Sequence, residues 1–223
     1  MTPIELVMKL GGRFSKELGI DLSSGRSEEI FKWLIAAMLF GARISGDLAE
    51  KAYRSFERHG VLNPDAILET GWEGLVSILD EGSYVRYDFK TATKFLEAAE
   101  NLKLRYAGNL NRLHSEAVDP KDLEARLKAL AKGIGPVTAG VFLREMRGIW
   151  KKACPLPLDP VLHSARDLGY IPWNLHDREE ALRLLSMKWP DGRDFPDFEA
   201  ALVRWARRKK QNPCLTTHQP DLP

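Results

Sequence analysis

The chain has only two cysteines, Cys154 and Cys214, among 223 residues. Two thiols cannot build a four-cysteine zinc or iron–sulfur site, and a single bridge across their separation has no pattern to support it, so a reduced chain is expected. Long apolar runs are also missing. No stretch approaches the roughly 20 apolar residues that span a bilayer. The opening MTPIELVMKLGGRF is amphipathic and lacks the continuous apolar core and small-residue cleavage site of a secretory leader. A soluble, intracellular, cytoplasmic protein with no membrane partner is the expectation. Alternating β-type runs, internal repeats and low-complexity tracts are equally scarce, which argues against sandwiches, barrels and solenoids. Charge of one sign is scarce too. The formal net charge is +2, too small to announce nucleic acid, so any such argument depends on where the cations lie.

What is present is helical periodicity almost throughout, and the fold class expected is all-α, with about a dozen short helices. A hydrophobic fraction of 44% with 29% charge is ordinary for a chain that builds its own core. The clearest helix begins near Ser27, read as its N-cap, and carries Ile30, Phe31, Leu34, Ile35, Met38 and Leu39 before Gly41. It is too apolar for a surface helix and is expected to be central and buried. Further helices are expected at 47–59, from Asn63-Pro64-Asp65, at 72–79 after Gly71, and at 88–104 with Phe89, Ala92, Phe95, Leu96 and Ala99 on one face. Others follow at 120–131, 136–147, 160–168, 177–187 and 195–210, with loops at 148–160 and 188–196.

The most informative stretch, 123–147, lies in DLEARLKALAKGIGPVTAGVFLREM: helix, tight turn, then a helix with Pro136 in its first turn. Gly133 and Gly135 let the chain turn around a buried Ile134 and leave backbone N–H groups pointing outward. A helix start with exposed donors attracts phosphate. Lys132, Arg144, Arg147, Lys151 and Lys152 would surround the turn with positive charge. The plainer alternative is a glycine-capped turn between two helices with no ligand.

Read together, GIGPVTAG and the later LPLDPVLHSARDLGY resemble the helix-hairpin-helix superfamily of DNA glycosylases, the HhH-GPD group. The resemblance runs from about Ser27 to Gly169 and includes FKWLIAAMLFGARISGD and SYVRYDFKTATKFLEAAENL. It implies a two-lobed helical fold, with a six-helix lobe over 26–148 and a second lobe from 1–25 plus 149–223. It implies Lys132, Gly133, Gly135, Val137 and Thr138 on the DNA backbone, and Asp159 as the catalytic carboxylate. Arg43 becomes the candidate wedge that fills the gap left by a flipped base, and the implied partner is double-stranded DNA containing a damaged base, bound by a monomer. Val137 stands where bifunctional members carry a Schiff-base lysine. A monofunctional enzyme is therefore implied, unless a lysine such as Lys132 substitutes. RWARRKKQNPCLTTHQP keeps only Cys214 where many members hold an iron–sulfur cluster. No cofactor is implied beyond a candidate monovalent cation at the hairpin.

The residues leave other readings open. Asp159, followed by Pro160, could be simply an N-cap, and Arg43 a surface arginine on a turn. Tyr84, Tyr87, Trp33, Trp150 and Trp173 are candidates for pocket walls, although most aromatics of helical proteins belong to the core. His163 lies one turn beyond Asp159, and Arg204 to Lys210 form a cationic helix end. A non-catalytic helix-hairpin-helix DNA-binding protein, or a protein-interaction bundle, are the rival functions.

Overall fold

The computed structural model describes residues 1–86, 88–190 and 192–211. All regular structure there is helical: α1 (Pro3–Leu10), α2 (Phe14–Glu17), a 3₁₀ turn at Leu22–Ser24, α3 (Ser27–Phe40), α4 (Gly46–Arg58), α5 (Pro64–Glu81), α6 (Asp88–Tyr106), α7 (Leu110–Glu116), α8 (Pro120–Lys128), α9 (Pro136–Met146), α10 (Asp159–Asp167), α11 (Arg178–Lys188) and α12 (Phe195–Gln211). The chain divides into two compact units, one of residues 15–155 and one of residues 1–14 with 156–223.

The larger unit is built around α3. From Glu29 to Leu39 only Lys32 of this helix reaches past burial, which is why its sequence carries no polar stripe. Its cap differs from expectation. Arg26 is the N-cap and its side chain makes no capping hydrogen bond, while Ser27 is the first helical residue. The start is instead held by Glu29, whose carboxylate accepts from the Asp21 N–H (2.9 Å) and from Lys32 Nζ (2.6 Å). In the core, Trp33 Nε1 donates to the Phe142 carbonyl at 3.1 Å, tying α3 to α9. Both rings are fully buried, a contribution of about 1.5–3 kcal/mol for a side chain of the phenylalanine kind.

Helix α5 is two helices joined at Gly71, whose φ of 65° and ψ of 176° are not helical, as expected for the pair on either side of that glycine. Asn63 caps it through the Ala66 N–H at 2.9 Å. Phe56 of α4 meets Phe95 of α6 with ring centroids 5.0 Å apart. Helix α7 occupies a stretch where the periodicity suggested none. Seven residues are too few to display a period, and its end is secured from outside: Lys152 Nζ donates to the carbonyls of His114 (2.7 Å), Ser115 (3.2 Å) and Ala117. Trp150 stacks on His114 at 4.8 Å and donates to Asn111 Oδ1 at 2.8 Å.

In the smaller unit, α1 and α10 both pack on α12. Phe198 is fully buried between Trp189, stacked at 5.3 Å, and the edge of Tyr170, also at 5.3 Å. The guanidinium of Arg204 lies 4.0 Å above the Phe14 ring and donates to the Gly12 carbonyl, and Lys209 pairs with Asp167 at 2.7 Å. Much of the cationic end of α12 therefore serves packing rather than facing solvent.

Candidate nucleic-acid interface

The hairpin turns through Gly133, Ile134, Gly135 and Pro136. Ile134 is 3% exposed and fills the angle between α8 and α9, while Lys132 and Gly133 on one side and Pro136 and Val137 on the other are exposed. Gly133 has φ +100°, which an L side chain rarely adopts. Gly135, the N-cap of α9, has φ −96° and ψ −177°, with nothing within 4 Å of where a Cβ would stand. The two glycines thus do different things. Gly133 permits the turn; Gly135 keeps the space in front of the helix open. Having no side chain, Gly135 also leaves the N–H groups of Val137 and Thr138 uncapped, and those point along the positive end of the α9 dipole. Thr138 itself is 4% exposed. A Cβ on Gly41 would come within 2.5 Å of its Oγ1, so the hydroxyl packs against the end of α3.

The cations around the turn are not those that adjacency in sequence suggests. Arg144 is 4% exposed beside Glu145 (3.4 Å), Arg147 donates to the Pro155 carbonyl at 2.6 Å, and Lys152 caps α7. These three stabilise the interior. The reason is the length of α9: eleven residues carry its C-terminal end roughly 16 Å from the hairpin. Lys151 remains exposed. The charge beside the hairpin comes instead from α6 and from the turn after α3. Lys132, Gly133 and Arg43 line a cavity of about 770 Å³ together with Lys90 and Lys94. The stem of Lys94 lies over Gly133, 3.1 Å from the position of an added Cβ, and burial pushes its amine below the usual lysine range. Glu97 on the same wall accepts from the Lys132 N–H at 2.8 Å, which fixes the approach to the turn. Neither Lys90 nor Lys94 carries a sequence signal beyond its place near the start of a helix, and only the folded chain brings them to the glycines.

Of the aromatic candidates, Trp33 and Trp150 are core, Tyr84 lines the cavity while 2% exposed, and Trp173 is 60% exposed in the smaller unit. Tyr87 and Cys214 lie outside the described residues. Phe89 departs from the expected buried face of α6: it is 58% exposed and turns to the cavity. Cys154 is a free, exposed thiol.

Asp159 stands in the smaller unit as the first residue of α10, not as its cap, which is Leu158. Its Oδ1 accepts from Arg178 Nη2 at 2.5 Å, and Arg178 is anchored in turn to the Pro157 carbonyl at 2.7 Å. One carboxylate oxygen is thereby held while the side chain remains 68% exposed. A cavity of about 340 Å³ is lined there by Asp159, His163, Ser164, Asp167, Lys209 and Lys210. Arg178, nineteen residues along the chain, is the partner that sequence reasoning missed. No group of three or more His, Cys, Asp or Glu side chains able to hold a metal occurs among the described residues. At the hairpin, the carbonyls of Leu130 and Ala131 accept from Asn101 Nδ2 and the Ile134 N–H. No helix among the described residues is long and apolar enough to cross a membrane. No family model, no curated protein and no solved structure matches this chain.

Proposed function

We propose that this chain is a monofunctional DNA glycosylase of base-excision repair, built on the two-lobed helix-hairpin-helix plan, that hydrolyses the N-glycosidic bond of a flipped, damaged or mismatched base. The observation that carries the reading is the hairpin: a buried Ile134, an open face at Gly135, uncapped N–H groups at the start of α9, and Arg43, Lys94 and Lys132 on the adjoining cavity wall. That arrangement suits one phosphate of a duplex, and it is indifferent to base sequence. Arg43, exposed at the rim, is suited to fill the gap left by an extruded base.

Asp159 supplies the chemistry in this reading. Breaking an N-glycosidic bond builds positive charge on the sugar, and a carboxylate beside it stabilises that charge and orients water. Arg178 holds Oδ1, leaving Oδ2 for water or sugar. Val137 offers no amine, so water rather than a protein nitrogen is the nucleophile.

One observation favours a second reading, a DNA-binding protein without catalysis. The Arg178 guanidinium opposes the charge of Asp159 at 2.5 Å, which weakens the carboxylate as an electrostatic stabiliser. Asp159→Asn separates the two. Duplexes each bearing one lesion are incubated with protein and abasic sites are then cleaved with alkali. The glycosylase reading expects base release by the natural chain and none by the variant, with DNA affinity intact; equal release by both, or none by either, sinks it. Strand cleavage without alkali would remove the monofunctional part.

A further inference from the structure

The cavity beside the hairpin is walled by more than cations. Trp72, the residue after the break in α5, is 40% exposed, and Phe89, in the first turn of α6, is 58% exposed. Their rings lie 5.1 Å apart at 42°. Trp72 is tied to α6: its Nε1 donates to Thr93 Oγ1 at 3.1 Å, and Thr93 Oγ1 donates to the main-chain carbonyl of Phe89 at 2.9 Å. Two large apolar rings left in water cost free energy, and the hydrogen bond from Trp72 to Thr93 fixes the indole beside the Phe89 ring. Around them are Arg43, Lys90, Lys94 and Lys132, against the single carboxylate of Glu97.

Resting on the reading of the hairpin as a phosphate grip, we propose that this cavity receives one unpaired nucleotide of the bound DNA, its base stacked on Trp72 and Phe89 and its phosphate held by Lys94, Lys132 and the hairpin. A flat ring with an adjoining anion is what aromatic walls with an excess of cations recognise, and the volume of about 770 Å³ falls within the range of sites that enclose small ligands. An unpaired nucleotide is specified because the faces of a paired base are already covered by its neighbours. A nucleotide within a strand, rather than a free one, is specified because Gly133 lines the same cavity, so the phosphate grip and the ring platform are continuous. Asp159 is not among the residues that line this cavity.

The test uses the full chain and two duplexes of equal length, one fully paired and one with a single bulged 2-aminopurine nucleotide, a base whose fluorescence falls when it stacks. The natural chain is expected to bind the bulged duplex on the order of tenfold more tightly and to quench the probe. Trp72→Ala and Phe89→Ala, both at exposed positions, should lose the preference and the quenching while binding the paired duplex as before. A free deoxynucleoside monophosphate should not compete at concentrations where the bulged duplex saturates; if it does, the strand-bound assignment is wrong. Binding to the paired duplex with no bulge preference, or a preference that survives both substitutions, overturns this inference alone. Binding to neither duplex overturns the DNA reading of the hairpin and this inference with it.

Discussion

Gly135→Ala separates folding from phosphate binding more sharply than any other single change. Its backbone, φ −96° and ψ −177°, is open to alanine, and the new methyl would meet nothing within 4 Å. The folded chain pays no steric penalty and the unfolded chain loses freedom, so stability should hold or rise by about 0.4–1 kcal/mol. DNA binding should move the other way. The methyl enters the space through which a phosphate reaches the N–H groups of Val137 and Thr138, and hydrogen bonds to a charged group are each worth about 1.5–3 kcal/mol. Losing one such bond weakens binding about tenfold or more, and losing the phosphate altogether flattens the dependence of log affinity on log salt by about 0.9. Gly133→Ala is the control. Its φ of +100° costs an alanine about 1–3 kcal/mol, and the methyl would displace Lys94 Cε from 3.1 Å, so folding and binding should suffer together. Urea unfolding gives the first quantity, and anisotropy of a labelled duplex across a salt series gives the second. If Gly135→Ala keeps both the affinity and the salt slope of the natural chain, the hairpin does not hold phosphate.

Lys152→Met should lower the urea midpoint by the equivalent of about 1.5–3 kcal/mol, because it strips a charged donor from the carbonyls of His114, Ser115 and Ala117. Burial and then the Lys152 charge hold His114 below its ordinary 6.5, so the same variant should move its NMR titration upward; an unmoved titration would contradict the Lys152 contribution. Burial pushes the Glu29 carboxyl up, but the Lys32 ammonium, the Asp21 N–H and the Arg26 charge outweigh it and leave the group below 4.5. Its folded pKa being lowered, its stabilisation is present above 4.5 and fades as pH falls through the lowered value. Glu29→Gln should therefore reduce stability near neutrality and flatten the acid limb of urea midpoint against pH; an unchanged limb refutes it. Phe142→Ala, at a fully buried ring, should cost about 3–5 kcal/mol in urea unfolding, and a loss under 1 kcal/mol would mean the α3–α9 contact is not central.

Elements with a long period or a strong stop signal were legible in the chain itself. Helix α3 announced its burial because ten of its fourteen residues are hydrophobic, and Asn63-Pro64 opened α5 as expected because a cap is a local hydrogen bond. The hairpin was legible for the same reason: a glycine with positive φ, a small apolar plug and a proline at the next helix start are all decisions made within a few residues. Local chemistry did not decide the cap of α3 or the place of Asp159 in α10, since cap and first-turn positions differ by one residue and by tertiary pulls such as Arg178.

What the sequence alone determined, then, is the all-helical class, the buried α3 and the shape of the turn at Gly133 and Gly135. Tertiary structure alone decided which charges and rings face that turn. Arg144, Arg147 and Lys152 follow it closely in the chain yet are carried away along α9 and spent on the interior. Lys90, Lys94, Trp72 and Phe89, from α5 and α6, replace them. The physical reason is range: a backbone turn is set by torsions and bonds among neighbours, whereas the electrostatic and aromatic surroundings of a site are sums over whatever packing brings near.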